Sequence, residues 1–498
     1  MRIWAFIAAS LCLAVQAGWE DQYTGLWFDP SNPGWGVSLH QQGQSINATL
    51  LLYGKDGDAR YFEARDARLQ DWDPYVLWDP VTFGGTLREP GLPSSRAVGT
   101  IVLSFEEDLR HGTLTHVIDG VRTTSPVTRA TFENTALAGA FAGNRIATSY
   151  HQCAAPFANE PVRLSIEQSG QDVVLRMSDD RASCEITGTY RSLGPTGTID
   201  GTAQCSGPGV PVTGTFAASD TRVERESIGF HYSIWNDDCR QEGRLAIART
   251  GSRLADESPP HDDVSSVWTK RNLGSGGSDA GWSIAVHQQG NTLFAMVLVP
   301  GEHGGSWYVA SNMTYTLGQD GDFTEYDGEL WATEGPPYTG AFDYRRVRTR
   351  RVGLLQITVD RGGYSNAIFD IDNVRRSGPI EPWLQPRDTR IAGSWTGIRT
   401  DLLTAAPTAA PGEWTITQDS SGLRMSLIEA ARTCEIAGAL QWRGLTGEIT
   451  GLGNCRDSTG AVRYDDFYAQ QVRMTDQGLT MRYWFLGSYG GMAAVARY

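Results

Sequence analysis

Two histidines offer the first candidate chemistry. His40 lies in Gly34-Trp35-Gly36-Val37-Ser38-Leu39-His40-Gln41-Gln42-Gly43, and His287 lies 247 residues later in Gly281-Trp282-Ser283-Ile284-Ala285-Val286-His287-Gln288-Gln289-Gly290. Histidine titrates near neutrality and often serves as a general base, but it needs a nucleophile or an orienting carboxylate beside it. No such partner recurs at a fixed offset in both copies; Asp56 and Glu302 are loose candidates. On a strand, His40 falls on the face opposite Trp35, Val37 and Leu39, so a polar, outward-facing histidine ahead of the Gly43 turn is expected. The sequence holds no G-x-S-x-G elbow, no H-E-x-x-H and no phosphate-binding glycine loop.

Aromatic and acidic residues supply the other candidates. Trp72, Trp78, Trp307 and Trp331 fall in or near loop-like stretches, where exposed rings could stack on sugars or hold apolar ligands. With His40 and His287 they form the candidate ligand-binding set. Asp320-Gly321-Asp322 with Glu325 and Asp327 is acidic enough to suggest calcium, but it lacks the ligand spacing of a calcium loop and reads as an ordinary turn. Paired carboxylates for glycoside hydrolysis need only spatial proximity, and no two single themselves out. No catalytic residue, metal or cofactor is therefore assigned.

Six cysteines remain once Cys12 of the apolar N-terminal stretch is set aside: Cys153, Cys184, Cys205, Cys239, Cys434 and Cys455. None forms a C-x-x-C pair, so disulfides are expected and a zinc site is not. Cys184 and Cys205 share the parity of the apolar residues around them. If residues 191–198 close a symmetric hairpin, the two cysteines face each other across antiparallel strands, and Cys434 and Cys455 do the same. Each cross-link would stabilise by about 3 kcal/mol in the chain-entropy model. Cys153 and Cys239 have no counterparts in the second copy, which pairs them with each other.

The elements that must position these residues are duplicated. Tyr61 follows Trp35, and Tyr308 follows Trp282, by 26 residues. Phe83-Gly84-Gly85-Thr86-Leu87 corresponds to Tyr326-Asp327-Gly328-Glu329-Leu330, and Val98-Gly99 to Val352-Gly353. This unit, A, covers 18–133 and 265–380. A second unit, B, covers 134–250 and 381–498: Cys184-Glu185-Ile186-Thr187-Gly188 returns as Cys434-Glu435-Ile436-Ala437-Gly438. A polar stretch with a Pro-Pro pair, 251–264, reads as a linker. Period-two alternation and hairpin signals such as Asp119-Gly120 divide unit A into about eight short strands. The fold class expected is all-β: four small antiparallel β-barrel or barrel-like sandwich modules in an A–B–A–B tandem duplication.

Composition agrees with that reading. The chain has 57 glycines, 20 % charged residues and a net charge of −15, with lysine only at Lys55 and Lys270. With its arginines taken as dispersed, such a chain is a poor candidate for nucleic acid or an anionic membrane. Arg2, the apolar stretch 3–15 and Val15-Gln16-Ala17 read as an export signal cleaved near Ala17, which places the mature chain in the periplasm or outside the cell. No other segment approaches the ~20 apolar residues of a membrane helix.

Gly25-Leu26-Trp27, Pro30, Gly34-Trp35-Gly36, Tyr53-Gly54-Lys55-Asp56-Gly57, Tyr61-Phe62 and Thr128-Arg129 resemble the repeat of a group of secreted proteobacterial β-repeat proteins. The second copy keeps Gly281-Trp282 and Trp307-Tyr308 but has Val267-Trp268 and a degenerate hairpin at Pro300-Gly301-Glu302-His303-Gly304. The resemblance covers the A units, under half the chain, and brings no catalytic residues. A weaker resemblance is to calycin-type small barrels. It is carried by Gly393-Ser394-Trp395 with Arg497, Gly25-Leu26-Trp27 with Arg129, and the variant Gly139-Ala140-Phe141 with Arg249. It implies an arginine over an aromatic face closing one barrel end. The function expected is a non-catalytic binding or structural role for an exported protein, its partner a small molecule, glycan or protein. The alternative is a hydrolase of an extracellular polymer.

Overall fold

Short alternating runs bounded by glycine, proline and aspartate turns can each bury one face, and the described residues form 32 strands from them. The computed structural model describes residues 23–497 apart from 43–44, 70–80, 92–93, 107, 109, 133–135, 152–156, 195, 209, 224–226, 250–263, 271–280, 303, 318–322, 361–364, 384–390, 402–408, 420–421, 430–431, 444–445, 475–478 and 486–488. The export signal and the linker lie outside the described residues. Among the described residues the sole helical element is a 3-10 turn, Tyr344–Arg346.

The strands fall into four groups of eight: Gly25 to Arg129 (A1), Gly139 to Arg249 (B1), Ser266 to Pro382 (A2) and Gly393 to Arg497 (B2). Within each group every strand pairs antiparallel with its sequence neighbours, and a last pairing closes the ring. Closure removes the free edges that would otherwise template aggregation. The turns carry the expected chemistry. Asp119 and Gly120 take φ of 48° and 82° between Ile118 and Val121, and Asp372 and Asn373 take 50° and 68° at the equivalent turn of A2. Each interior is filled by its own cluster, with Trp27, Val37 and Leu39 in A1 and Trp282, Ile284 and Val286 in A2.

One device recurs at the base of three barrels. The indole of Trp27 donates to Tyr23 O at 3.1 Å, that of Trp268 to Val264 O at 2.9 Å, and that of Trp395 to Ile391 O at 3.1 Å. In B1 Phe141 takes the tryptophan's place. Arg129 stands opposite Trp27, with its guanidinium 5.7 Å from the ring centre, and donates to Thr24 O. Arg249 and Arg497 hold the same register opposite Phe141 and Trp395, but A2 has Pro382 there.

Cys184 pairs with Cys205 and Cys434 with Cys455, each in register at a Cα separation of 4.0 Å, on the inward face of the barrel wall. Cys239 is also disulfide-bonded; Cys153 lies outside the described residues.

A1 and A2 lie side by side, joined through a bridge of Gly305 to Tyr61. A Cβ on Gly305 would lie 2.1 Å from the Tyr61 ring, so this approach requires glycine. The pairings Leu51 to Tyr61 and Leu298 to Trp307 correct the expected repeat alignment by one residue: Tyr61-Phe62 is equivalent to Trp307-Tyr308, because the A2 hairpin is one residue shorter.

Replacing Cys184 and Cys205 together by alanine is expected to lower the stability of B1 by about 3 kcal/mol. Urea titration of the intact chain should show an earlier B1 transition; an unchanged midpoint would contradict it.

Candidate functional site

The strands that carry the two histidines, Gly36–Gln42 and Ser283–Gln289, meet across the A1–A2 junction. The outward polar face expected for His40 is outward only from its own barrel. A2 covers it, leaving His40 2 % and His287 3 % exposed. The rings stack with centroids 4.4 Å apart and 12° between planes. His40 Nε2 lies 3.0 Å from Val286 O and must carry the proton it donates there, while His287 Nε2 lies 2.8 Å from Ser38 Oγ. The residue equivalent to Ser38 in A2 is Ala285, which offers no hydroxyl, so His40 bonds the backbone instead. The glutamines complete a pseudo-two-fold exchange. Gln42 donates to Trp383 O just past the last strand of A2, and Gln289 donates to Ala130 O just past the last strand of A1, both at 3.0 Å.

Ser38 and His287 have the spacing of a nucleophile and its base, but not the setting. Both are buried, and neither is among the residues that line the cleft between the barrels. Burial, followed by the neighbouring His40 and Arg129, holds His287 well below its ordinary pKa, so it is a poor proton acceptor near neutrality. The pair ties the barrels together.

The open space lies beside this stack. A cleft of about 480 Å³ separates the barrels. Leu26, Phe28, Trp35, Leu51 and Tyr53 of A1 line it, and Phe294, Trp307, Val309, Trp331 and Val347 of A2 face them. On strands Thr292–Gly301, Gly304–Leu317 and Phe323–Glu334 the alternate residues fill the A2 core, so Phe294, Trp307 and Trp331 must point away from it. Polar atoms are few. Tyr53 donates its hydroxyl to Gly34 O at 2.7 Å, and burial raises its pKa, so it stays neutral. Trp307 donates to Leu52 O of A1 at 3.2 Å. Ser311, Thr333 and Thr349 supply hydroxyls at the wall.

An arm of A2 closes one side. Between Leu330 and Val352 lie twice as many positions as between the equivalent Leu87 and Val98. The extra residues cross onto A1. Gly335 N donates to Gly57 O at 2.9 Å, Tyr338 N to Tyr53 O at 3.0 Å and Asn32 Nδ2 to Phe342 O at 2.9 Å. Tyr338 and Phe342 pack on the A1 core. A Cβ on Gly335 would lie 2.6 Å from the Tyr53 ring, which fixes glycine there.

Of the residues singled out by sequence, Trp307 and Trp331 stand on the A2 wall of the cleft, on strands rather than loops. His40 and His287 stand behind it in the junction, and Trp72 and Trp78 lie outside the described residues. Asp320, Gly321 and Asp322 also lie outside them; Glu325 and Asp327 both accept from Gln356 Nε2, at 2.9 and 3.1 Å. Sequence reasoning missed Phe28, Tyr53 and Phe294, whose outward parity was legible but whose cover was not. It also took the arginines as dispersed, whereas Arg345, Arg346, Arg348, Arg350 and Arg351 form a basic run. Glu106, Asp108 and His111 bring metal-type donors within 4.8 Å of one another, but they are solvent-facing and Asp108 already accepts from the Arg110 and His111 N–H groups.

Fold and cleft together define a tandem four-barrel protein with an inter-barrel apolar chamber. No protein-family model, curated protein or solved structure matches the chain.

The buried histidines make a pH prediction. His287 is held well below its ordinary value of 6.5, and burial lowers His116 in the A1 wall to about 4. Their contribution is intact above pH 6.5. As pH falls, the unfolded chain takes up protons that the folded chain refuses, so stability drops from 6.5 towards the folded pKa values. Denaturant midpoints at pH 7.5 and 5.5 should differ, and His287→Gln should remove up to about 1.4 kcal/mol per pH unit of that slope. An equal slope in the variant would show that His287 takes up its proton at the same pH in the folded and the unfolded chain.

Proposed function

We propose that the A1–A2 pair is a non-catalytic module that binds a small apolar or aromatic molecule in the cleft between its barrels. One observation carries this: the pseudo-two-fold axis generates a second, equivalent position, and there the apolar wall is absent. Where the cleft has Phe294, Val309 and Trp331, the twin position has Asn47, Glu63 and Arg88, with Glu63 and Arg88 opposite each other in the ladder. The fold therefore does not require an apolar wall, and only one of the two copies carries it. The volume, the aromatic lining and the location between barrels are those of small-molecule sites.

The same proposal places the protein in an oxidising compartment, the periplasm or the exterior, since its disulfides would persist there. No helix among the described residues is long and apolar enough to cross a membrane.

The test is a variant that fills the cleft. Val309 is half-buried on the A2 wall, and Val309→Trp should occupy the space. The intact chain should bind a neutral aromatic probe, N-phenyl-1-naphthylamine, with quenching of tryptophan fluorescence, and Val309→Trp should weaken binding at least tenfold while folding normally by circular dichroism. Unchanged probe binding in the filled variant would overturn the proposal.

A further inference from the structure

The outer wall of B2 is unlike that of its twin. Strands Gly422–Glu429, Arg432–Arg443, Thr446–Asp457 and Val462–Met474 turn one set of alternate residues into the barrel core and the other set outward. Among the described residues eight large apolar side chains are exposed, and four of them, Ile428, Leu452, Val462 and Tyr464, stand on this wall. Leu452 is 68 % and Tyr464 78 % exposed. The disulfides align the two B barrels, with Cys184 and Cys205 in the places of Cys434 and Cys455. By that alignment B1 has Thr202 for Leu452, Thr213 for Tyr464, Thr187 for Ala437 and Ser178 for Ile428. There the hydroxyls bond each other, Thr187 to Thr202 at 3.4 Å and Ser183 to Ser206 at 3.0 Å. The barrel therefore does not need apolar residues on this wall.

B1 does not cover them. It packs on the first and last strands of B2, Gly393–Asp401 and Tyr489–Arg497, through its own Gly139–His151 and Cys239–Arg249. In a ring of eight, strands Arg432–Arg443 and Thr446–Asp457 lie on the opposite side.

The ladder sets the outward residues in rows across four strands. Arg424, Ala437, Leu452 and Asp466 make one row, and Ile428, Thr433, Arg456 and Val462 another. Each row is complementary to itself read backwards. A second wall, turned about an axis along the strands, would set Arg424 against Asp466, the small Ala437 against the large Leu452, and Ile428 against Val462. No like charges would meet. Arg424 and Asp466 stand three strands, or about 14 Å, apart along the wall, too far to pair within one chain. Neither has another ion-pair partner among the described residues. B1 has Val174 and Thr215 in their places, so this charge pattern belongs to B2 alone.

We infer that two copies of the chain associate back to back through this wall of B2, about a two-fold axis that runs along the strands. In such an isologous interface each contact occurs twice. Sheets that pack face to face align within about 30°, which keeps each row close to its own image. The inference is independent of the cleft, which lies between A1 and A2. A wall four strands wide on a convex barrel gives a contact at the small end of specific interfaces, so association is expected at micromolar concentrations.

Sedimentation velocity of the intact chain over a micromolar concentration series is expected to show monomer passing into dimer. Leu452→Arg should weaken the dimer at least tenfold. Arg424→Asp and Asp466→Arg each set like charges together twice and should do the same. Mixed with each other, these two variants regain opposite charges at both contacts and should associate as tightly as the wild type, which no pairing within one chain can produce. The substituted residues are exposed, so every variant should match the wild type by circular dichroism. Single variants that dimerise unchanged, or a mixture that does not recover, would overturn the inference. A chain that stays monomeric would overturn it too, and retention of that monomer on a polysaccharide column, lost in Leu452→Arg, would assign the wall to a glycan instead.

Discussion

The two A barrels depend on a face that each buries against the other. Strand Gly36–Gln42 is buried at every position, although only alternate residues point into its own barrel. Its other face carries Ser38, His40 and Gln42, which need hydrogen-bond partners once water is excluded. A2 supplies them through His287, Val286 O and Trp383 O, and A1 returns the service to Gln289 through Ala130 O. Around this polar seam Leu51, Tyr61, Met296, Leu298 and Trp307 form a separate apolar cluster that belongs to neither interior. Either barrel alone would expose that cluster as an apolar patch, and the A1–A2 contact buries it.

This seam also explains where room for a ligand arises. An eight-stranded barrel has an interior just wide enough for its own side chains, and all four interiors here are occupied by them. Two convex walls pressed together along one line must diverge beside it. In A1–A2 the divergence is bordered by Trp35 and Trp307, bounded by the arm that carries Tyr338 and Phe342, and left open at its mouth.

Period two and hairpin arithmetic made much of the fold legible. Both are local properties of strands: alternation set which residues of 184–205 and 434–455 face inward, and equal distances from the turn set which cysteines meet. The site was less legible because parity says which face a residue takes and not what lies against it. His40 was placed on the correct face and given the wrong surroundings for that reason. The A2 hairpin before Trp307 is one residue shorter, so counting from the tryptophans set Tyr308 against Tyr61, whereas the aromatic pair of the repeat already set Trp307-Tyr308 against Tyr61-Phe62. The longer connection between Leu330 and Val352 was visible as a spacing, but its docking on A1 depends on glycines such as Gly335 whose tolerance is set by a ring from the other barrel.

Divergence between the copies is the remaining step. Keeping apolar residues at a solvent-accessible wall forgoes about 25 cal/mol for each Å² that could have been buried. The twin position shows that the same backbone accepts Asn47, Glu63 and Arg88, with Glu63 ion-paired to Arg65 and Arg65 over the Trp383 ring. Stability alone does not account for Phe294, Val309 and Trp331 bordering unfilled space in one copy where the other has that polar arrangement. The same copy carries the longer connection, and that connection carries the arginine run. Wall and arm are thus carried by one barrel and face the other. A fold made of filled barrels can thus hold an apolar chamber between two of them without disturbing any interior.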